Sequence, residues 1–208
     1  MNNTPWPDSL PERLRQQLTF LMTVNELKTV HRASVIQTGG RKENSAEHSW
    51  HVSLFAHILA EYAELSINVH RAIIMLLIHD IVEIDAGDLP LHAAPDPSQS
   101  AREQAAADRL FSLLPADQAA TVRQLWDEFE TSDSADARFA KAIDRLQPVL
   151  LNFITQGGTW PDFEVSLSQV KEKTIPMKKG SETLWQCANA IYEDATRFGW
   201  LRQDETPP

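Results

Sequence analysis

The residues best suited to chemistry lie in one run, Leu76-Leu77-Ile78-His79-Asp80-Ile81-Val82-Glu83-Ile84-Asp85-Ala86-Gly87-Asp88-Leu89-Pro90. An apolar segment from Ala72 to Ile78 leads straight into a His-Asp pair, and a carboxylate follows at Glu83. Ionisable side chains set beside apolar ones cost free energy unless each has a partner. Imidazole and carboxylate are both good ligands for first-row divalent metals, so one ion would partner both side chains. Glu83 follows His79 by four residues and Asp80 by three. On a helix it projects to the same side as the pair, where a general acid or base would stand without being a ligand.

Other segments carry weaker signals. His48, His51 and His57 fall on one predicted helix, with His48 and His51 on a shared face; by residue type alone each reads as a surface or hydrogen-bonded histidine. Asp144 sits in a mostly apolar stretch where an unpaired carboxylate would be costly, and Lys141 and Arg145 offer a plain salt bridge for it. Arg32, Arg41 and Lys42 form a basic patch. It is either a solvated loop or an anion-binding loop in which the Arg32 guanidinium forks two phosphate oxygens. Asp88 is either the polar residue of a helix-ending turn or part of a site.

Helices must position these groups. Apolar periodicity predicts a first helix from Asp8 or Ser9 to about Val30, after a loose Pro-rich arm over residues 1–8. An irregular stretch follows to Asn44. A second helix is expected over about 46–65, capped by Ser45, and a third from Val69 to about Glu83, capped by Asn68. A long loop over 84–98 precedes helices over about 98–114 and 116–130, with the acidic Asp127-Glu128-Phe129-Glu130 as a solvated end. A helix from Ser134 or Asp136 to about Thr155 carries Asp144 and ends at Gly157-Gly158. Shorter helices over about 162–173 and 181–198 follow; Lys178 and Lys179 are expected in solvent, Gly199 marks the last C-cap, and 203–208 is a frayed tail.

Composition sets the frame. The chain has 208 residues, which suits a single domain with one sizeable core, spanning about residues 9–200. Glycines number only 7, and runs of β-branched residues are few, so an all-α class is expected. A lone cysteine, Cys187, excludes an intramolecular disulfide and suits a reducing compartment. The N-terminal residues lack the basic and apolar regions of a signal peptide, and no apolar run is long enough to span a bilayer, so a cytoplasmic protein without membrane contact is expected. A net charge of −10 disfavours extended nucleic acid as a partner, while leaving room for a small phosphate ester held by local cations.

Taken in order, Arg32, Glu43-Asn44-Ser45-Ala46-Glu47-His48-Ser49, His79-Asp80-Ile81-Val82-Glu83, Gly87-Asp88-Leu89-Pro90 and Asp144 form a pattern. The chain here resembles the HD-domain metal-dependent phosphohydrolases, specifically the 5'-deoxynucleotidases, over about residues 20–155. The resemblance implies an HD-domain helical bundle. It implies that His48, His79, Asp80 and Asp144 hold a divalent metal, one of Mn, Co, Fe, Mg or Zn. It further implies Arg32 in the substrate pocket as a catalytic residue that holds the phosphate, Glu83 as the proton-transfer residue and Asp88 near the sugar, accepting from its 3'-hydroxyl. The substrate would be a nucleoside 5'-monophosphate and the assembly a homodimer. Ala33 stands where some bacterial members carry an aromatic residue that helps exclude a ribose 2'-hydroxyl, so the deoxy preference is left open. A metal-stabilised nucleotide-binding protein without hydrolysis, or an HD enzyme for another phosphoester, is the alternative.

Overall fold

The computed structural model describes residues 6–38 and 40–204. Most of the expected arm, most of the expected tail, and Gly39 lie outside them. The described end of the arm is held in place: Trp6 donates its indole N–H to Thr19 Oγ1 at 3.0 Å.

Helices build the molecule. They are α1 (Glu12–Val24), α2 (Ser45–Ile58), α3 (Val69–Ile78), α4 (Glu83–Ala86), α5 (Gln99–Phe111), α6 (Ala116–Thr131), α7 (Ala135–Ile154), α8 (Leu167–Thr174), α9 (Met177–Gly180) and α10 (Glu182–Arg197). The one sheet among the described residues is a small antiparallel hairpin, β1 (His31–Val35) with β2 (Lys42–Asn44), where an irregular stretch was expected. The predicted first helix is too long, because α1 stops at Val24 and a 3₁₀ turn, Asn25–Thr29, leads into β1. Among the described residues no helix is long and apolar enough to cross a membrane.

Two apolar clusters fill the interior. One joins α2, α3, α7 and α10 through Val52, Met75, Leu76, Ile143, Leu146 and Tyr192. The other joins α1, α5 and α6 through Phe20, Ala107, Leu110, Phe111 and Trp126. The chain passes from the first to the second at His79-Asp80: Met75 and Leu76 belong to one cluster, Ile81 and Val82 to the other. α9 closes on α7 at Gly180, where a Cβ would lie 2.2 Å from the carbonyl oxygen of Arg138, so only glycine allows the approach.

Two expected helices begin elsewhere for local reasons. α2 is capped by Asn44 rather than Ser45: the extended Asn44 accepts from the Glu47 N–H at 3.0 Å, and Glu47 accepts from the Asn44 N–H at 3.2 Å. Trp160-Pro161 does not open a helix. Glu164 has a left-handed φ of 50°, and a second capping box at Ser166 and Gln169 starts α8 instead.

Candidate metal and phosphoester site

The third predicted helix breaks where the chemistry begins. α3 ends at Ile78, and His79–Val82 wind as a 3₁₀ turn before α4. Adjacent residues on an α-helix diverge by about 100°, and a 3₁₀ turn repositions them. His79 Nε2 then stands 3.0 Å from Asp80 Oδ1. Trp126 fixes the turn by donating to the His79 carbonyl at 3.1 Å, and the Phe129 ring packs 5.0 Å from the imidazole. The acidic end of α6 is therefore only partly solvated: Trp126 and Phe129 are buried.

α2 and α7 deliver the remaining members. His48, fully buried, points Nε2 at Asp144 Oδ1, 2.9 Å away; the same oxygen lies 3.4 Å from His79 Nε2. One donor atom each from His48, His79 and Asp80 lies within 4.8 Å of the others. The expected set His48, His79, Asp80 and Asp144 is thus gathered from three segments, α2, the His79–Val82 turn and α7. The salt bridge considered for Asp144 does not form. Lys141 instead donates to the carbonyls of Glu130 and Ser132.

The donors fit a cation. His79 Nδ1 donates to the Leu76 carbonyl at 2.8 Å, and His48 Nδ1 donates to Gln147 Oε1 at 3.1 Å. These partners assign the tautomers. In its neutral form each ring would present its Nε2 lone pair to a carboxylate oxygen, and His79 Nε2 is buried without a hydrogen bond. Lone pairs facing lone pairs need a positive charge between them. Titration preferences agree. Burial opposes charging of both rings, yet the surrounding carboxylates raise both histidines; Asp144 lies well below the usual carboxylate range and Asp80 at about 2, because the rings and Arg32 outweigh burial.

Gln147 carries this pattern outward. Its Nε2 donates to Glu43 Oε1 at 2.7 Å and lies 3.3 Å from His51 Nδ1. His51, expected to share a helix face with His48, therefore meets the site through Gln147. Sequence reasoning missed Gln147; its one signal is a polar side chain three residues after Asp144, on the same face of an apolar helix.

Arg32 comes from β1. Its Nη1 sits 2.8 Å from Asp80 Oδ2, 3.7 Å from Asp88 Oδ1 and 3.9 Å from Glu83 Oε1. Burial opposes its charge, and these carboxylates hold its pKa above the ordinary value. Arg41 does not join it: that guanidinium pairs with Glu47 at 2.6 Å on the surface. Glu83 accepts from Ser45 Oγ at 2.5 Å, which is why Ser45 is unavailable as a cap. Burial and the charge of Asp80 push Glu83 up to about 9, and burial raises Asp88. Asp88 is aimed by Gly87, whose φ of 77° ends α4 in a conformation that favours glycine.

A cavity of about 240 Å³ opens on this group. Arg32, Ala33, Asp80, Glu83, Asp88 and Asp144 line it, together with Leu89, His92, Trp160 and Phe163. A second cavity, about 410 Å³, reaches His79, Asp80 and Asp144 from another side.

Known proteins are similar to this chain in sequence and fold. A crystal structure of a "predicted metal-dependent phosphohydrolase" from Magnetospirillum magnetotacticum superposes with a TM-score of 0.87 at 46% identity, covering 92% of this chain and 99% of that one. The human 5'-deoxynucleotidase HDDC2 is 31% identical over 138 residues, 65% of this chain. That match spans 66% of the human protein, just under two thirds of its length. The 5'-deoxynucleotidase ECA3034 of Pectobacterium atrosepticum is 29% identical over 80% of this chain and 86% of its own. The HD-domain profile matches residues 24–185, a span that contains every residue gathered above, and the chain belongs to the HD-domain family.

Proposed function

We propose that this protein is a metal-dependent phosphomonoesterase that hydrolyses (deoxy)ribonucleoside 5'-monophosphates to nucleoside and phosphate. The observation that carries the reading is the pair of Nε2 atoms facing carboxylate oxygens beside a cavity that also holds Glu83, Arg32 and Asp88. The resemblance to named 5'-deoxynucleotidases supports the substrate class.

His48, His79, Asp80 and Asp144 would hold a divalent ion, Mn, Co, Fe, Mg or Zn. Such an ion lowers the pKa of a water and neutralises phosphoryl oxygen charge. Glu83 moves the proton between the attacking water and the leaving 5'-oxygen, with Ser45 holding its other oxygen in place. Arg32 keeps Asp80, Glu83 and Asp88 oriented and brings positive charge to the phosphate end of the cavity. Asp88 accepts from the sugar 3'-hydroxyl. Ala33 lines the cavity with a small side chain, so ribonucleotides are expected as substrates too.

Residues 9–200 work as one HD domain, in a reducing, cytoplasmic setting suited to the lone Cys187. The assembly is a homodimer. Trp50, Leu54 and Ile58 support it: they repeat every four residues along α2 and remain 63%, 46% and 62% exposed.

The test is phosphate release from a panel of deoxy- and ribonucleoside 5'-monophosphates with Mn²⁺ or Co²⁺, with a chelator control. Release that chelation and Glu83→Ala both abolish is the expected result. Metal binding with no release from any monophosphate would sink the reading.

A further inference from the structure

Arg145 is a cation at the site with no carboxylate partner among the described residues. Its neighbour Asp144 faces the rings of His48 and His79 instead. Arg145 Nε is buried without a hydrogen bond, and the side chain lines both cavities. It therefore stands where the two cavities meet beside Asp144. Arg32 differs. Its Nη1 is committed to Asp80, with Asp88 and Glu83 close behind, so most of its charge is already offset. A guanidinium that borders a cavity without a carboxylate partner is free to take an anion, and its planar fork of donors matches the oxygens of a phosphate.

We infer that Arg145 is a second arginine that grips the substrate phosphate, forking two phosphoryl oxygens of a dianionic phosphate monoester and, after hydrolysis, of inorganic phosphate. The inference rests on the proposed nucleotidase reading for the substrate's identity. Anion binding by Arg145 can be measured without turnover.

The full-length protein loaded with Mn²⁺ is titrated calorimetrically with inorganic phosphate and, separately, with deoxyadenosine, alongside Arg145→Gln and Arg145→Lys. Loss of a charge-assisted contact should weaken phosphate about ten- to a hundredfold in Arg145→Gln. Arg145→Lys should recover part of it, since it keeps the charge without the fork. Deoxyadenosine affinity and metal content should not change. In turnover, KM should rise by the same factor and kcat should fall less. Undiminished phosphate binding in Arg145→Gln would overturn the inference. So would equal losses for phosphate and nucleoside, loss of metal from both variants, or no phosphate binding by the unaltered protein. Phosphate binding through Arg145 without hydrolysis of any nucleotide would leave the inference standing and remove the nucleotidase reading.

Discussion

Two arginine–aspartate pairs show what burial does to the same chemistry. Arg13 meets Asp117 at 2.7 Å between α1 and α6, with the side chains 54% and 65% exposed. Arg32 meets Asp80 at 2.8 Å between β1 and the His79–Val82 turn, with 14% and 10% exposed. The distances are nearly equal and the consequences are not. A surface pair contributes about 0–1 kcal/mol and is screened by salt. Removing one member of a buried pair leaves an uncompensated charge, at a cost of about 3–5 kcal/mol. The chain spreads exposed pairs widely and collects its buried ones, Arg32 with Glu43, Asp80, Glu83 and Asp88, at a single place. Stability alone does not call for such a concentration; a bound cation and an anionic substrate do.

The largest effect that tests this contrast is loss of a ligand. Asp80→Asn should lower phosphate release about a thousandfold or more and lower bound metal, measured by a phosphate assay and elemental analysis on the same sample. Retained metal with normal turnover would place the chemistry elsewhere. Next comes Glu83→Gln, for which kcat should fall about a hundredfold with metal content intact, a result that separates proton transfer from metal holding. Gln147→Leu touches no ligand atom from solvent, yet it removes the acceptor of His48 Nδ1 and the donor to Glu43. It should weaken metal binding about ten- to a hundredfold in a competition titration. The smallest effect belongs to Arg13→Ala, which should lower the denaturant midpoint only slightly, a difference that disappears in high salt. If Arg13→Ala proved more damaging to stability than Gln147→Leu, the contrast between exposed and buried charge would fail here.

The His-Asp pair of the candidate site was legible in the residues themselves because ionisable groups at the end of an apolar helix are chemically expensive. His48 and Asp144 read as an ordinary surface histidine and a salt-bridged carboxylate until the family resemblance singled them out, and the structure brings His48, His79, Asp80 and Asp144 together. What was not legible depends on competition between near equals. Asn44 and Ser45 are both good caps, and only the fold reveals that Ser45 is taken by Glu83. The switch to a 3₁₀ turn at His79 has no local signal, since Ile81 and Val82 continue the apolar pattern. β1 is too short for alternation to show. Arg145 looked like a partner for Asp144 because adjacency in sequence cannot tell which way a carboxylate turns.

Pro148 lies inside α7, four residues after Asp144. Proline has no N–H to offer the Asp144 carbonyl, so the helix gives up a backbone hydrogen bond beside the site. The side-chain contacts that close the site on α7 span long stretches of chain: His48 to Asp144 crosses 96 residues, and Glu43 to Gln147 crosses 104. Contacts this distant carry a large loop-closure cost and tend to form late in folding. An ion bound across them would stabilise the native state more than the folding transition state. Its signature should be kinetic: metal should slow unfolding while leaving the refolding rate nearly unchanged, making the ion a latch fastened after the helices have packed.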